Sequence, residues 1–420
     1  MNRVLLRFSE GTEGADTITY RKGEVIMAIV KPKVRGFICT TAHPEGCKAI
    51  VKEQIGYVKA QPHADGPEKV LVIGASMGYG LASRISAAYS FGASTIGVIF
   101  DKPASGARTA SAGWYNTAAF EELAHADGLY ARTINGDAYS AAVKQQTIDL
   151  IKADLGKVDL VIYSLAAPRR TDTDGTLYTS VLKTVGDPFT NKTIDLRTNT
   201  VSDVTVEPAT DEEITATVKV MGGEDWKAWI DALRAADAIS ENAVTLAYSY
   251  IGPSITHPMY ADGSIGKAKD HLFATAKQIT AENNGIRAYI SVNKALVTQS
   301  SSAIPIVPLY ISILFKVMKE HNVHEGCIEQ MYRLLNRKLY NGEPELDSEG
   351  RIRLDDLEMQ PEIQAEVDAL WNKITTDNLD ACADIGGYQK DFYRLFGFEA
   401  EGIDYEQDTE INVPIASIKE

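Results

Sequence analysis

Residues 69–80 read K-V-L-V-I-G-A-S-M-G-Y-G, and no other stretch narrows the possible folds of this chain as far. Val70, Leu71, Val72 and Ile73 form a short continuous apolar run, the pattern of a strand buried on both faces of a parallel sheet. Gly74, Gly78 and Gly80 follow, and L-A-S-R-I-S-A-A-Y then reads as a helix with an apolar stripe. A strand, a glycine turn and a helix N-terminus together make an anion site. Backbone N–H groups face outward, the helix dipole favours negative charge, and missing side chains admit a pyrophosphate. The spacing is G-x-x-x-G-x-G, not G-x-G-x-x-G, and by itself it is equally compatible with a plain strand-to-helix turn. The next strand favours the anion site. Residues 94–100 (S-T-I-G-V-I-F) are again apolar and β-rich, and they end at Asp101, about 20 residues past the last glycine, where an acid would bind adenosine ribose hydroxyls. The two strands predict a dinucleotide site with Gly74, Ser76, Met77, Gly78, Tyr79 and Gly80 around the pyrophosphate, and Phe100 and Asp101 at the adenosine.

The α/β alternation continues past Asp101 with a helix over 114–127, a strand over 129–134, a helix over 140–154 and a strand over 158–163. By order along the chain, Asp137 and Ala138 fall at the adenine, and Ser164, Leu165 and Ala166 at the nicotinamide. Residues 167–222 break the pattern: Thr, Asp and Gly are dense, and we expect an insertion carrying a small hairpin and a helix over 211–221. A helix over 224–236, a fifth strand over 243–248, a long helix over 263–282 and a sixth strand over 286–292 follow. Leu296, Val297 and Thr298, just past that strand, complete the expected cofactor set. The apolar, proline-flanked run P-I-V-P-L-Y-I-S-I-L-F-K-V-M-K is a core helix, the wall of a greasy pocket, or both. The remainder is mostly helical and acidic. The predicted architecture is α/β: a doubly wound, Rossmann-type parallel sheet with an inserted hairpin and additional C-terminal helices. Residues 27–420 form one domain, with a core over 69–300 and a substrate-covering helical part over 301–420.

Residues 1–26 have a different texture, polar and without sustained period. R-K-G-E-V-I-M is what purine-rich codons ahead of a bacterial start would give if translated. We therefore expect Met27 as the physiological start and 1–26 as an extension not native to the fold; the alternative is a genuine short β-arm. Four cysteines in 420 residues suggest no disulfide framework, and the N-terminus lacks the order of a signal peptide. No run approaches the roughly 18 consecutive apolar residues of a membrane span. These features predict a cytoplasmic protein without membrane contact. A net charge of −15 argues against general affinity for nucleic acid. Cys39, His43 and Cys47 invite a metal reading, but their spacing fits no zinc pattern and a fourth ligand is lacking, so a loop with buried thiols is expected.

Chemistry concentrates past the fifth strand, in S-Y-I-G-P-S-I-T-H-P-M-Y-A-D-G-S-I-G-K-A-K. Tyr260 and Lys269 are separated by eight residues, with a glycine turn between them at the start of a helix. An ammonium near a phenol favours the phenolate and lowers a pKa that is ordinarily about 10. Such a tyrosine can donate a proton or a hydrogen bond to an oxygen gaining charge, while the lysine holds the cofactor ribose. Tyr250, ten residues upstream, either faces the same pocket or packs the strand end.

Here the chain resembles a known family. Ordinary short-chain dehydrogenases share the G-x-x-x-G-x-G turn but carry Tyr-x3-Lys, and common enoyl-acyl carrier protein reductases carry Tyr-x6-Lys. Tyr-x8-Lys is similar to the FabV-type enoyl reductases and the bacterial trans-2-enoyl-CoA reductases. The likeness runs from about Met27 nearly to the C-terminus, through I-V-K-P-K-V, A-H-P-E-G-C, G-A-S-M-G-Y-G-L-A-S-R-I, Y-S-L-A-A-P-R-R, V-M-G-G-E-D-W, A-Y-S-Y-I-G-P, S-V-N-K-A-L-V-T and F-K-V-M-K-E. It implies a monomeric, NADH-dependent reductase of the double bond of a 2-enoyl thioester, with neither metal nor flavin. Tyr260 and Lys269 match the family's catalytic pair, Tyr250 its second tyrosine, and Asp101 its NADH-selecting acid. The wording of A-Y-S-Y-I-G-P and V-M-G-G-E-D-W, with Arg169 and Arg170 as a local phosphate cradle, favours short-chain enoyl-CoA; enoyl-acyl carrier protein is the alternative. Carbonyl reduction would want Tyr-x3-Lys, and a non-catalytic nucleotide sensor would have no use for the Tyr/Lys pair.

Overall fold

A computed structural model of the chain, describing residues 3–5, 25–36 and 38–418, is built on seven parallel strands. They are Lys69–Ile73 (β1), Ser94–Ile99 (β2), Ala131–Asn135 (β3), Val158–Tyr163 (β4), Ile239–Ser249 (β5), Arg287–Val292 (β6) and Ile352–Arg353 (β7). Their order is β3-β2-β1-β4-β5-β6-β7, so the glycine strand is central and pairs with β2 and β4. Central position explains its composition: Val70 to Ile73 are wholly buried, alternate residues entering two cores. Val70 and Val72 face the helices Pro44–Lys59, Gly78–Phe91 and Ala112–Ala126, whereas Leu71 and Ile73 face Ala141–Asp154, Glu224–Ala235 and Ser264–Glu282. The expected doubly wound sheet is present. β7 was not expected, because two residues carry no period. β5 begins four residues earlier than expected, where its register with β4 shifts between Ile239 and Val244.

Two buried charged groups are paired, and some family-like motifs serve the core. Arg84 in the glycine helix is fully buried, donates to Thr95 Oγ1, Thr133 Oγ1 and the Arg132 carbonyl, and lies 4.6 Å over the Phe120 ring. In V-M-G-G-E-D-W, Asp225 forms a buried pair with Lys144 at 2.7 Å and accepts from Tyr163, while Trp226 donates to Thr245 Oγ1. Removing one partner of such a pair leaves an uncompensated buried charge, at a cost of about 3–5 kcal/mol.

The insertion carries two hairpins rather than one: Arg169–Thr171 with Leu177–Thr179, and the longer Phe189–Asp195 with Thr200–Val206, ahead of the helix Asp211–Met221. Lys192 on the longer hairpin donates to the Trp371 carbonyl, tying the insertion to the C-terminal helix Pro361–Lys373. The apolar helix Val307–Glu320 is buried among the hairpin strand Phe189–Asp195 and the helices Pro361–Lys373 and Ile385–Arg394, in the same core as the sheet's glycine side. Among the described residues no helix is long and apolar enough to cross a membrane.

Most of the 1–26 segment lies outside the described residues. Val25–Ala28 pairs in parallel with Arg3–Leu5 and antiparallel with Thr409–Glu410, and Ile26 is buried with its carbonyl accepting from the Ile411 amide. His43 caps the helix Pro44–Lys59, its Nδ1 accepting from the Gly46 amide; Cys39 and Cys47 are buried thiols.

Candidate active site

The glycine turn is shaped by backbone proximity. Gly74 has φ +86° and Gly78 φ +52°, left-handed values that disfavour any side chain. A Cβ on Gly74 would overlap the Ser164 carbonyl, and one on Gly80 the Gly74 carbonyl, so the turn, the helix and the end of β4 close on one another only without side chains. Met77 is the extended N-cap of the helix Gly78–Phe91 and provides no side-chain cap, which leaves first-turn amides open to an anion. Ser164 and Leu165 lie against Gly74, and the Thr298 methyl is the nearest group to Gly78. Leu296 and Val297 share a cavity wall with Met77, Gly78 and Leu81. Segments far apart in sequence thus converge on one groove. Tyr79 contributes backbone there, while its hydroxyl turns away to the Lys294 carbonyl at 2.7 Å.

Asp101 ends β2 with its carboxylate accepting from the hydroxyls of Ser111 (2.8 Å) and Ser76; burial raises its pKa, and these two bonds oppose the rise. Phe100 beside it is 78 % exposed, a free aromatic face at the groove's outer end. Asp137 caps the Tyr139 amide, and Ala138 is buried with its carbonyl accepting from Lys144 and Trp229. Ala166 is exposed at the β4 end.

The Tyr-x8-Lys spacing also acquires a geometry. Residues 254–262 form a run of turns, and the helix Ser264–Glu282 begins at the Gly263 N-cap. A Cβ on Gly266 would strike the Ala261 and Tyr260 carbonyls, so a glycine in the first helical turn lets the Tyr260 turn lie on the helix that carries Lys269. Tyr260 and Tyr250 meet edge to face, centroids 4.9 Å apart at 85°. Tyr250 donates to Glu358 at 3.0 Å, whereas the Tyr260 hydroxyl has no partner among the described residues. Lys269 Nζ donates to the Tyr248 carbonyl at 2.9 Å. Burial pushes the Tyr260 phenol up to about 12 and draws the Lys269 ammonium down to about 8. The expected lowering of the tyrosine pKa is therefore reversed: desolvation dominates, and Tyr260 is a neutral hydroxyl at physiological pH.

The paired arginines separate. Arg170 is buried, donates to the Lys219 carbonyl and Asp172, and lies over Tyr139, while Arg169 is exposed. Only Arg169 is free to meet a phosphate, so the expected two-arginine cradle is not present. Glu358, which holds Tyr250, went unnoticed in the sequence because it sits in the charged run R-L-D-D-L-E-M-Q, where a buried acid looks like any solvated one.

Three family models match in tandem. Residues 29–106 match the NAD(P)H binding domain of trans-2-enoyl-CoA reductase, and 108–340 the trans-2-enoyl-CoA reductase catalytic region. Residues 346–409 match an enoyl reductase FAD binding domain. A trans-2-enoyl-CoA reductase [NADH] of Ruminiclostridium cellulolyticum is 58% identical over 393 residues, covering 93% of this chain and all of that one. The chain belongs to the trans-2-enoyl-CoA reductase family. An enoyl-[acyl-carrier-protein] reductase [NADH] of Flavobacterium johnsoniae is also 58% identical, over 395 residues, with 93% of this chain and 100% of the relative covered. The crystal structure of Treponema denticola trans-2-enoyl-CoA reductase in complex with NAD superposes with a TM-score of 0.89 at 50% identity, covering 92% of this chain and all of the other.

The flavin in one of those descriptions finds no fit in this reductase-family chain. Residues 354–360, between β7 and the helix Pro361–Lys373, contain no glycine and carry Asp355, Asp356 and Glu358, carboxylates that oppose a phosphate at that turn. The N-terminus of the helix Ile385–Arg394 is closed by Asp384, which accepts from the Gly387 amide. Through Asp391, Arg394 and Leu395 the segment 346–409 borders the same cavity as Met77, Gly78, Leu296 and Val297. What the segment supplies to the site is Glu358.

Proposed function

We propose that the chain catalyses NADH-dependent reduction of the C2=C3 double bond of a trans-2-enoyl thioester, with Tyr260 and Lys269 as its catalytic residues. The observation that carries this reading is a neutral Tyr260 hydroxyl packed on Tyr250 and without a partner among the described residues, in a chain that also carries the open glycine turn and is 58% identical to NADH-dependent enoyl reductases. Bound NADH supplies the hydride, which goes to the β-carbon. Negative charge then develops on the thioester oxygen, and the Tyr260 hydroxyl donates to it from a desolvated position, where such a bond is strongest; a proton taken up at the α-carbon completes the reduction and leaves NAD⁺. Lys269, fixed by the Tyr248 carbonyl, keeps the neighbourhood positive and orients the nicotinamide ribose. Oxidation of NADH with crotonyl-CoA, followed at 340 nm, tests the activity, and absence of turnover would sink it.

Asp101 accounts for the cofactor. Its carboxylate, held by Ser76 and Ser111, accepts from a ribose 2′-hydroxyl and repels a 2′-phosphate. The wild type should favour NADH over NADPH in kcat/KM by about tenfold or more, near 1.4 kcal/mol, and Asp101→Ser should narrow the gap. Equal efficiency with both cofactors in the wild type would remove this assignment.

The carrier is proposed as coenzyme A with a short acyl chain. The A-Y-S-Y-I-G-P and V-M-G-G-E-D-W wording supports it, as does an acidic chain, since acyl carrier protein is itself acidic and needs a basic docking face. The Flavobacterium johnsoniae relative's name favours the second reading, enoyl-acyl carrier protein. Crotonyl-CoA should be the better substrate in side-by-side kcat/KM measurements. An advantage of about tenfold or more for crotonyl-acyl carrier protein would reverse the choice and leave the chemistry at Tyr260 intact.

A further inference from the structure

We infer that Glu358 is a positioning residue for this reaction, fixing the Tyr250 hydroxyl and tying the substrate side of the groove to its cofactor side; the inference rests on the activity proposed above. Glu358 is fully buried, and three donors converge on its two oxygens. Oε1 accepts from the Tyr310 hydroxyl at 2.6 Å and the Tyr250 hydroxyl at 3.0 Å, and Oε2 from the Ala295 amide at 2.7 Å. The three donors come from three places. Tyr250 follows β5 and touches Tyr260, and Tyr310 lies on the buried helix Val307–Glu320. Ala295 opens the segment whose Leu296 and Val297 line the cavity with Met77 and Gly78. Gln364 braces the hub, donating to the Glu358 carbonyl at 2.8 Å and to the Tyr310 hydroxyl at 3.2 Å.

The proton inventory makes the arrangement directional. A phenol has one proton, and an ionised carboxylate only accepts. With three N–H and O–H groups aimed at it, Glu358 fits the site as the carboxylate. Burial raises its pKa, and the Tyr310 bond, the buried Lys294 ammonium and the Ala295 amide oppose that rise. Tyr250 therefore commits its proton to Glu358 and can offer the groove only a lone pair and a ring edge. Tyr260, packed against that ring and without a partner among the described residues, is left as the donor. Glu358 thus separates the roles of two adjacent tyrosines without touching the substrate.

Glu358→Gln tests this, because it keeps the shape and replaces one acceptor by an NH2 donor. The Ala295 amide can only donate and retains the amide oxygen; the phenols must turn round to accept from NH2, and the Tyr250 proton leaves its place. With crotonyl-CoA, kcat should fall about tenfold or more while KM for NADH stays within about threefold, and the loss should vanish in a Tyr250→Phe background. The same tenfold loss in that background, or turnover of Glu358→Gln equal to wild type, would overturn the inference. A purely structural role would instead lower Tm and move KM for NADH, with additive losses in the cycle. If Glu358→Gln does not fold, Tyr310→Phe runs the same cycle by loosening the carboxylate without removing it. Its effect on kcat should likewise require Tyr250, and equal losses in both backgrounds would overturn the inference. Wild-type enzyme assayed alongside separates the two failures: an inactive wild type removes the reaction itself, whereas an active wild type with additive losses removes only the role of Glu358.

Discussion

Tyr260→Phe should reduce turnover of crotonyl-CoA by a factor of about 10²–10⁴, the usual cost of losing a positioned acid, with NADH binding nearly unchanged. The expected effect is large because the hydroxyl is desolvated and makes no hydrogen bond to any of the described residues. Its full donor capacity is available to an oxygen that gains charge only as hydride arrives, so the loss falls on kcat and not on ground-state binding. The ring remains, and with it the edge-to-face contact to Tyr250, so the change is confined to one hydroxyl. Steady-state kcat and a fluorescence titration with NADH measure the two sides. Turnover within about threefold of wild type, under 1 kcal/mol of barrier, would transfer the donor role to Tyr250. It would also contradict the commitment of the Tyr250 proton to Glu358.

The sheet was legible in the sequence where burial is continuous. Val70 to Ile73 and most of the β2 and β4 runs are buried because both faces are covered, and a composition that apolar survives without an alignment. The groove was legible for a related reason: glycines are enforced where backbones nearly touch, and Gly74 and Gly80 are such places. Tyr260 and Lys269 stood out because their spacing and the resemblance agreed. Features defined by a distant partner were hidden. β7 exists only because Ser291 and Val292 offer an edge. Arg170 and Arg169 look alike in sequence, yet Lys219 and Asp172, brought in by the insertion, commit one of them. Glu358 is separated from Tyr250 by 108 residues, and no local pattern marks a buried acid within a charged run. The direction of the Tyr260 pKa is not legible in the sequence, because a nearby cation can be read from spacing, whereas desolvation depends on everything packed around the ring.

Lys269→Met should lower kcat/KM by about 10²–10³, the range for removing one preorganised electrostatic donor, and should raise KM for NADH as well. The double effect separates it from Tyr260→Phe: the ammonium is proposed to hold the ribose in the ground state and to favour negative charge in the transition state, so binding and chemistry suffer together. Methionine keeps the stem length and apolar contacts, which limits the change to the charge and its bond to the Tyr248 carbonyl. The pH profile gives an independent check. Burial draws the ammonium down to about 8, so the charged form prevails below that pH and is lost as pH rises through it. Wild-type kcat/KM should be level near neutrality and fall on the alkaline side with an apparent pKa near 8. No such limb is expected from Tyr260, whose hydroxyl remains protonated to about 12. In Lys269→Met the residual rate should lose the alkaline limb, because the group that titrates is gone. A limb that persists unchanged in the variant would assign the ionisation elsewhere and detach the lysine from the reaction.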